Sequence, residues 1–275
     1  MTTLKSQSTA LGMTYVTPFD FIASSYDQIF TDSHIGVAQR FQVWRTIEHC
    51  FAPGAHVLEL NCGTGQDALA LARSGVRVSA YDAAPRMIEI ASRKLADEAL
   101  SSNVKFSVLR NEDLYMLKGT FDGALSNFGG LNCSMDWSSI AIELERLVKP
   151  DGHLLLCVLG RICLWEILYY FLRGSISKAL RRIRTCPSLA RVNGTSVKVI
   201  YPSIREIKQF FSRGFRLCDW RGVGVFVPPS YCEPLFRRRT KTLRLLVFLD
   251  SIFGHLPGTR CWGDHILLDF VRRSV

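Results

Sequence analysis

No two of the nine cysteines stand in a C-x-x-C pair, and the polar N-terminus is not expected to act as a signal peptide. Structural zinc ligands usually come in closely spaced pairs, so the first absence argues against a zinc site, and no metal is expected. The cysteines are scattered and odd in number, which is not typical of a disulfide framework. We therefore expect reduced thiols in a cytoplasmic protein.

The chain also lacks a charge-free apolar run of membrane-spanning length. Residues 154–172 have the length, but Arg161 and Glu166 lie inside this stretch. Either charge would be costly near the centre of a bilayer. The stretch therefore favours a buried strand followed by a helix.

Acidic residues are scarce in the second part of the chain. Residues 161–275 hold 21 Lys and Arg but only 7 Asp and Glu, whereas residues 1–160 hold 13 and 17. A basic surface can bind nucleic acid, an anionic membrane or an acidic substrate, or it can simply be solvated. The charge by itself leaves these possibilities open.

What the sequence does contain is a strand-turn-helix pattern at residues 56–75. An apolar strand holding Glu59 is followed by Gly63 and Gly65, which can adopt backbone angles closed to other residues, and then by a helix. A helix N-terminus presents free N–H groups to polar ligands. Asp82 ends the next strand, 17 residues after Gly65, so two neighbouring strands would bring carboxylates to one turn. The pattern predicts a nucleotide site.

Strand and helix patterns alternate over the first 160 residues, which predicts a parallel sheet covered on both faces. Amphipathic helices are expected at residues 19–30 and 35–50, and a long helix begins at Pro85. The expected strands lie at residues 57–60, 76–81, 104–109, 121–126 and 154–159.

The ordered motifs resemble the class I S-adenosylmethionine-dependent methyltransferases over roughly residues 19–160, with weaker support to the C-terminus. The matching residues are Glu59-Leu60-Asn61-Cys62-Gly63-Thr64-Gly65, Asp82, Asn111-Glu112-Asp113-Leu114, Phe121-Asp122 and Leu147-Val148-Lys149-Pro150-Asp151-Gly152. The resemblance implies an α/β, Rossmann-like fold with a seven-stranded, mostly parallel sheet and helices on both faces. It also implies S-adenosyl-L-methionine as the cofactor.

The resemblance implies specific contacts with that cofactor. Asp82 would accept hydrogen bonds from the ribose hydroxyls, Glu59 would line the methionine side, and Tyr26 would lie in a lid over the site. The full implied set is Tyr26, Glu59, Asn61, Gly63, Gly65, Asp82, Asn111, Glu112 and Asn127. Asn61 replaces the usual first glycine of the turn, and Asn tolerates left-handed angles better than most residues. Arg110 stands where many relatives carry an acid, so it is left out of the expected site.

The expected organisation has four parts. Residues 1–54 form an N-terminal tail and lid helices, and residues 55–160 form the cofactor-binding core. Residues 161–201 are an insertion after strand five, read as helical. Residues 202–275 complete the sheet with a helix at 203–211, strand six at 215–225 and an antiparallel strand seven at 265–271, around a second insertion at about 226–264. Both insertions leave from carboxyl ends of strands, where ligands bind, so we expect a substrate cover. They are expected to pack on the domain, and a peripheral membrane contact stays open.

The acceptor is expected to be a small, partly hydrophobic molecule methylated at O, N or C. His265 and His34 are candidate bases, whereas His153 begins strand five at the opposite end of the sheet. The loop after strand four lacks the Asn-Pro-Pro-Tyr motif of base-flipping enzymes, so no nucleic acid partner is expected.

Two alternatives remain open. A non-catalytic protein with the same fold would keep the cofactor pocket as a binding site or scaffold. An NAD(P)-dependent oxidoreductase is less favoured, although Gly63-Thr64-Gly65-Gln66-Asp67-Ala68 also fits the G-x-G-x-x-A pattern. The oligomeric state is open.

Overall fold

The computed structural model describes residues 16–98, 100, 102–184, 187–192 and 194–274. Residues 1–15, which belong to the expected N-terminal tail, lie outside the described residues, as does Cys186. The other eight cysteines are free thiols.

The strands are β1 (His56–Leu60), β2 (Arg77–Asp82), β3 (Val104–Val108), β4 (Phe121–Ser126), β5 (Val148–Leu159), β6 (Ser188–Val192), β7 (Thr195–Val199), β8 (Phe215–Val223) and β9 (His265–Arg272). The α-helices are α1 (Ala23–Tyr26), α2 (His34–Cys50), α3 (Gln66–Arg73), α4 (Pro85–Ala96), α5 (Trp137–Leu147), α6 (Leu164–Leu172), α7 (Ile176–Ala179), α8 (Ile204–Phe211), α9 (Glu233–Phe236) and α10 (Thr240–Phe253).

Seven strands form one sheet in the order β3-β2-β1-β4-β5-β9-β8. The first five are parallel to one another, and β9 runs antiparallel to β5 and β8. The predicted seven-stranded, mostly parallel sheet is confirmed. Strands β6 and β7 form a separate antiparallel hairpin.

Helices cover both faces of the sheet, because successive strand side chains point to opposite faces. In β1, Leu58 packs in a cluster with Leu144 of α5 and Phe211 of α8. Its neighbour Val57 packs in a second cluster with Val43 of α2 and other residues of α3 and α4. Burying each such side chain contributes about 1.5–3 kcal/mol, so the continuous apolar strands favour a sheet buried on both sides.

The prediction of a single N-terminal helix at residues 19–30 is wrong. The structure has a 3-10 turn at Pro18–Phe21, then α1, then a π-helical turn at Asp27–Thr31. Asp27 explains the change of winding, because its carboxylate accepts a hydrogen bond from Thr64 Oγ1 and pairs with Lys94 Nζ, each at 2.6 Å. These tertiary contacts override the apolar spacing that suggests one regular helix.

The two insertions differ from each other. The second, with α9 and α10, is helical as expected. The first is only partly helical, because it contains α6 and α7 but ends in the β6–β7 hairpin. Val197 and Val199 of that hairpin are buried with Phe19, Cys133 and Leu159. Alternating burial against the sheet end favours extended chain over a helix at this point.

The stretch at residues 154–172 divides into β5 and α6, as predicted. Glu166 of α6 is 1% exposed and pairs with Arg181 and Arg182, each at 2.8 Å. Arg182 also pairs with Asp264 at 2.8 Å. Arg181 and Arg182, two of the many basic residues of the second part of the chain, therefore pair with buried acids and do not form a solvated helix face. Among the residues that the structure describes, no helix has the length and apolar character needed to cross a bilayer.

Candidate active site

A pocket opens at the carboxyl ends of β1, β2 and β4, under the N-terminal segment. It is lined by Thr17, Pro18, Phe19, Tyr26, Asn61, Gly63, Asp82, Ala83, Ala84, Met87, Arg110, Asn111, Glu112, Asn127, Phe128, Gly129, Gly130, Cys133, Ser134 and Val197. One part is polar and the other, around Phe19, Phe128 and Val197, is apolar. Ligands of doubly wound α/β sheets bind at this edge.

The turn after β1 has the left-handed backbone that its sequence predicts. Asn61, Gly63 and Gly65 have φ values of 57°, 54° and 80°. The Asn61 side chain is fixed, because its Oδ1 accepts a hydrogen bond from Ser126 Oγ at 3.1 Å. A Cβ on Gly130 would lie 2.2 Å from Asn61 Cβ, so the opposite wall must carry a glycine there.

Asp82 is held in place by two backbone groups. The N–H of Gly63 donates to Oδ2 at 2.9 Å, and the N–H of Ala84 donates to Oδ1 at 2.8 Å. Desolvation raises the pKa of the Asp82 carboxyl, and the backbone hydrogen bonds oppose that rise. A Cβ on Gly63 would meet only Tyr26, at 3.9 Å, so the space beside the carboxylate is open.

Glu59 lies behind the turn and is 1% exposed. Its Oε2 has no hydrogen-bond partner among the described residues. Burial raises the pKa of this carboxyl well above its usual value, and the nearby carboxylate of Asp67 adds to the rise. Such a buried, unsatisfied acceptor is costly, so it suits a site where a ligand supplies a donor or a positive charge.

A buried network holds the loop after β4. Asp67 Oδ1 accepts hydrogen bonds from Arg40 Nη1 at 2.7 Å and Trp44 Nε1 at 2.6 Å. Its Oδ2 accepts one from Asn127 Nδ2 at 2.9 Å. Phe128, with a φ of 49°, donates its N–H to Asn127 Oδ1, and its ring lies 4.7 Å from the Arg40 guanidinium. This network fixes an aromatic ring at the pocket wall.

Tyr26 and Phe30 form the aromatic side of the N-terminal segment. Their ring centroids are 5.9 Å apart, and the Phe30 ring lies 5.0 Å from that of Phe128; Tyr26 and Phe128 line the pocket. Burial raises the pKa of Tyr26 to about 12, so this hydroxyl stays protonated at neutral pH. The segment therefore encloses the polar end of the pocket with aromatic rings.

Similarity to known proteins agrees with this geometry. Residues 57–152 match the profile of a family described as "Methyltransferase domain". A demethylmenaquinone methyltransferase from Clavibacter sepedonicus is 32% identical over 139 residues, covering 50% of this chain and 55% of that relative. The ubiquinone/menaquinone biosynthesis C-methyltransferase UbiE of Geotalea daltonii is 27% identical over 158 residues, covering 56% and 67%. Residues 57–152 therefore form a methyltransferase domain, and the relatives support the class I S-adenosylmethionine-dependent type.

The fold of this methyltransferase also matches solved structures. The CcbJ methyltransferase from Streptomyces caelestis superposes with a TM-score of 0.62 at 13% identity, covering 94% of this chain and 99% of that one. At such identity the match supports the fold alone. The sequence matches cover about half to two thirds of the two relatives described above.

The cofactor of a class I methyltransferase is S-adenosylmethionine. The family match therefore favours this cofactor over NAD(P). The pocket fits this group in two respects. Asp82 offers a fixed carboxylate beside open space, which suits ribose hydroxyls. Glu59 lies behind the turn and outside the pocket lining, and its unsatisfied buried oxygen suits a nearby positive charge.

The structure places most of the expected cofactor residues together. Seven of them line the pocket: Tyr26, Asn61, Gly63, Asp82, Asn111, Glu112 and Asn127. Glu59 and Gly65 lie outside the lining. A Cβ on Gly65 would come within 2.6 Å of Phe106, so this glycine permits packing of the turn against β3. The contacts of all nine with the cofactor stay predictions.

Arg110 corrects the expected set, because it lines the pocket beside Asn111. Its Nε lies 3.4 Å from a carboxylate oxygen of Glu112 and 3.5 Å from one of Asp113. The position at a strand end next to two expected site residues is a signal visible in the sequence. The positive charge of Arg110 hides this signal in the sequence, because the acids that pair with Arg110 come after it in the chain.

Both histidines expected as candidate bases lie outside the pocket lining. His265 is 5% exposed and sits behind Phe128, with ring centroids 5.3 Å apart. Burial lowers the pKa of His265, and its Nδ1 lies 3.5 Å from Asp264. His34 is exposed and its Nδ1 lies 2.8 Å from Glu233 Oε1. These positions do not support His265 or His34 as a base that faces the acceptor.

A thiol, an imidazole and a carboxylate gather at the opposite end of the sheet. Ligand atoms of Cys50, His153 and Asp269 lie within 4.8 Å of one another. His153 Nδ1 shares a 2.8 Å hydrogen bond with Asp269, and the Cys50 thiol donates to the same carboxylate at 3.8 Å. These mutual hydrogen bonds account for the cluster without an ion.

Proposed function

We propose that this chain transfers the methyl group of S-adenosylmethionine to a small, partly hydrophobic acceptor, and that a hydroxylated, electron-rich ring is the class to test first. The observation that carries the proposal is the apolar end of the pocket. Phe19, Phe128, Cys133 and Val197 line it beside the polar end that holds Asp82.

The bound cofactor would supply a methyl group activated by a positive sulfur. The residues of the chain then have two tasks, which are to hold both molecules and to exclude water. Asp82 and Asn111 offer hydrogen bonds at the polar end, whereas Tyr26, which packs beside Phe30, shields the site. Fixing two reactants in a productive geometry can contribute about 7–11 kcal/mol, so positioning by itself accounts for a large rate enhancement.

Apart from the carboxylates of Asp82 and Glu112, which are expected to contact the cofactor, the lining gives little support for proton removal by the chain. No histidine is present among the described residues of the lining. Burial holds the pKa of Tyr26 at about 12 and that of Cys133 at about 11, so both stay protonated at neutral pH. Such groups are poor general bases.

A site with few bases suits an acceptor that brings its own nucleophile. The ring carbon of a quinol, or a phenol that ionises near neutral pH, meets this requirement. Two relatives carry names that specify demethylmenaquinone methylation and C-methylation in ubiquinone and menaquinone biosynthesis. These names favour a quinol-like ring for the first assay.

The test uses the purified chain and S-adenosylmethionine with a trideuterated methyl group. Reduced naphthoquinone, a catechol and a primary amine are offered as acceptors, and products are read by mass spectrometry. We expect the label on the quinol at carbon or oxygen. The Asp82→Asn variant should lose product formation, whereas Asp122→Asn, at the start of β4 and outside the pocket lining, should retain it.

Two outcomes would contradict the proposal. Label found only on the amine would rule out the ring acceptor. Cofactor binding at micromolar concentration without labelling of any acceptor, including those in a cell metabolite extract, would favour the non-catalytic alternative.

A further inference from the structure

We propose that α6 and α7 form a docking surface for an anionic lipid bilayer. Five apolar side chains from the second half of α6 to Leu180, the residue after α7, are solvent-exposed. They are Leu168 at 51%, Phe171 at 64%, Leu172 at 75%, Ile176 at 61% and Leu180 at 42%, and we call them the α6–α7 patch. Clustered exposed apolar side chains mark interaction sites, whereas single ones are common.

The α6–α7 patch is continuous along the chain. Leu168, Phe171 and Leu172 are three and four residues apart, so they share one face of α6. Gly174, with a φ of 69°, turns the chain into α7, which packs against α6. Ile176 of α7 and Leu180 after it extend the patch. A neighbouring face of α6 is occupied, because Trp165 and Tyr169 pack in the cluster shared with α9 and α10.

The charges around the α6–α7 patch indicate which kind of partner binds it. The acid of this segment, Glu166, is buried and paired with Arg181 and Arg182. Arg173, Lys178 and Arg184 have no acidic partner among the described residues. The segment therefore presents apolar side chains surrounded by positive charge, which is the composition of a surface that lies on anionic lipid.

The same charges disfavour other occupants. A second copy of this chain, docked by the same patch, would bring Arg173 and Lys178 against their own equivalents. Like charges placed together across an interface are unfavourable. Nucleic acid would use the positive charge but would leave Phe171 and Leu172 without an apolar partner.

The α6–α7 patch has a firm base on the catalytic domain. Trp165 Nε1 donates to the Phe226 carbonyl at 2.8 Å, and Arg182 joins Glu166 to Asp264 at the start of β9. The same insertion continues into β7, where Val197 lines the pocket. The inference does not depend on the proposed reaction.

The test is co-sedimentation of the full chain with vesicles of phosphatidylcholine, alone or mixed with phosphatidylglycerol. We expect binding to the mixed vesicles and weak binding to phosphatidylcholine. Each exposed cation near an anionic surface contributes about fivefold to partitioning, so binding should fall steeply as sodium chloride is added.

Two variants and a control locate the surface. Phe171→Ser with Leu172→Ser should lower partitioning about tenfold or more, because two apolar side chains no longer enter the interface. Arg173→Glu with Lys178→Glu should abolish the preference for phosphatidylglycerol. Leu189→Ser on the β6–β7 hairpin, where Leu189 is 66% exposed, is the matched control and should bind as the wild type does. Circular dichroism and cofactor affinity check that each variant is folded.

The proposal would be overturned by absence of binding to mixed vesicles, or by binding that the Phe171→Ser, Leu172→Ser variant retains. Analytical ultracentrifugation tests the competing occupant. A dimer of the wild type that dissociates in this variant would show that the α6–α7 patch joins two copies of the chain instead.

Discussion

Replacing Asp82 with Asn should weaken cofactor binding strongly while changing the stability of the chain little. Asp82 uses one lone pair on each oxygen for the N–H groups of Gly63 and Ala84, which leaves the remaining lone pairs for the ligand. An amide keeps the shape but substitutes NH₂ for one oxygen. One acceptor toward the ribose is lost, and the other no longer carries a charge.

The size of the effect follows from these contacts. A hydrogen bond to a charged group contributes about 1.5–3 kcal/mol, so losing one and weakening another should cost about 2–3 kcal/mol. The dissociation constant of S-adenosylmethionine should rise about 30- to 150-fold.

Folding stability should respond differently. Desolvation raises the pKa of Asp82 in the folded chain, so the ionised carboxylate lowers stability at pH values above the unfolded-state pKa of about 3.9. Removing the charge offsets the loss of a backbone acceptor, and the free energy of unfolding should change by less than about 1 kcal/mol.

Isothermal titration calorimetry with S-adenosylmethionine and S-adenosylhomocysteine measures the affinity, and urea denaturation measures the stability. The matched control is Asp122→Asn, because Asp122 accepts the N–H of His56 at 2.8 Å and pairs with Lys149 at 2.6 Å, away from the pocket lining. A dissociation constant within twofold of the wild type for Asp82→Asn, or an equal loss for Asp122→Asn, would refute the reasoning.

Three further changes test other parts of the site. Tyr26→Ala should weaken cofactor binding about tenfold, since a buried aromatic wall is lost; unchanged affinity by calorimetry would contradict a lid role. Glu59→Gln should raise the melting temperature at pH 8 by roughly 2–4 °C without cofactor, because the wild type loses stability as pH rises from the unfolded-state pKa of about 4.3 through the raised folded pKa. Melting temperatures measured by fluorimetry from pH 4 to 8 should become equal for the wild type and the variant at the acid end. A constant difference across this pH range would contradict the prediction. Arg182→Ala should lower the free energy of unfolding by about 3–5 kcal/mol in urea, because Glu166 and Asp264 are left buried without their shared partner; a loss below about 1 kcal/mol would show that the pairs contribute little.

The sheet could be predicted because its signals are local. The apolar strand at 121–126 begins and ends as expected, and the turn at Asn61 adopts the left-handed angle that asparagine tolerates. The β6–β7 hairpin was not foreseen, because its short strands become buried only against distant residues such as Phe19 and Leu159. The irregular segment around Asp27 was missed for the same reason.

The site divides in a similar way. Asp82 could be assigned from its place after an apolar strand, and the structure holds it with the turn that precedes it. The role of Asp67 could not be assigned from the sequence, since an aspartate in a helix does not indicate that Arg40, Trp44 and Asn127 donate hydrogen bonds to it. Spacing also suggested His265 as a base, but only packing shows that Phe128 covers its ring.

The sequence by itself determined the fold class and the turn, because strand periodicity, glycine spacing and strand-end carboxylates act over a few residues. The cofactor followed from the resemblance of the ordered motifs to a known family. Tertiary structure decided which charges are hidden and which are displayed. The sequence counts Arg181 and Arg182 among the many basic residues of the second part of the chain, but only the structure shows that they pair with the buried Glu166. A charge in a sequence has no partner until folding brings distant segments together, and desolvation makes that pairing obligatory.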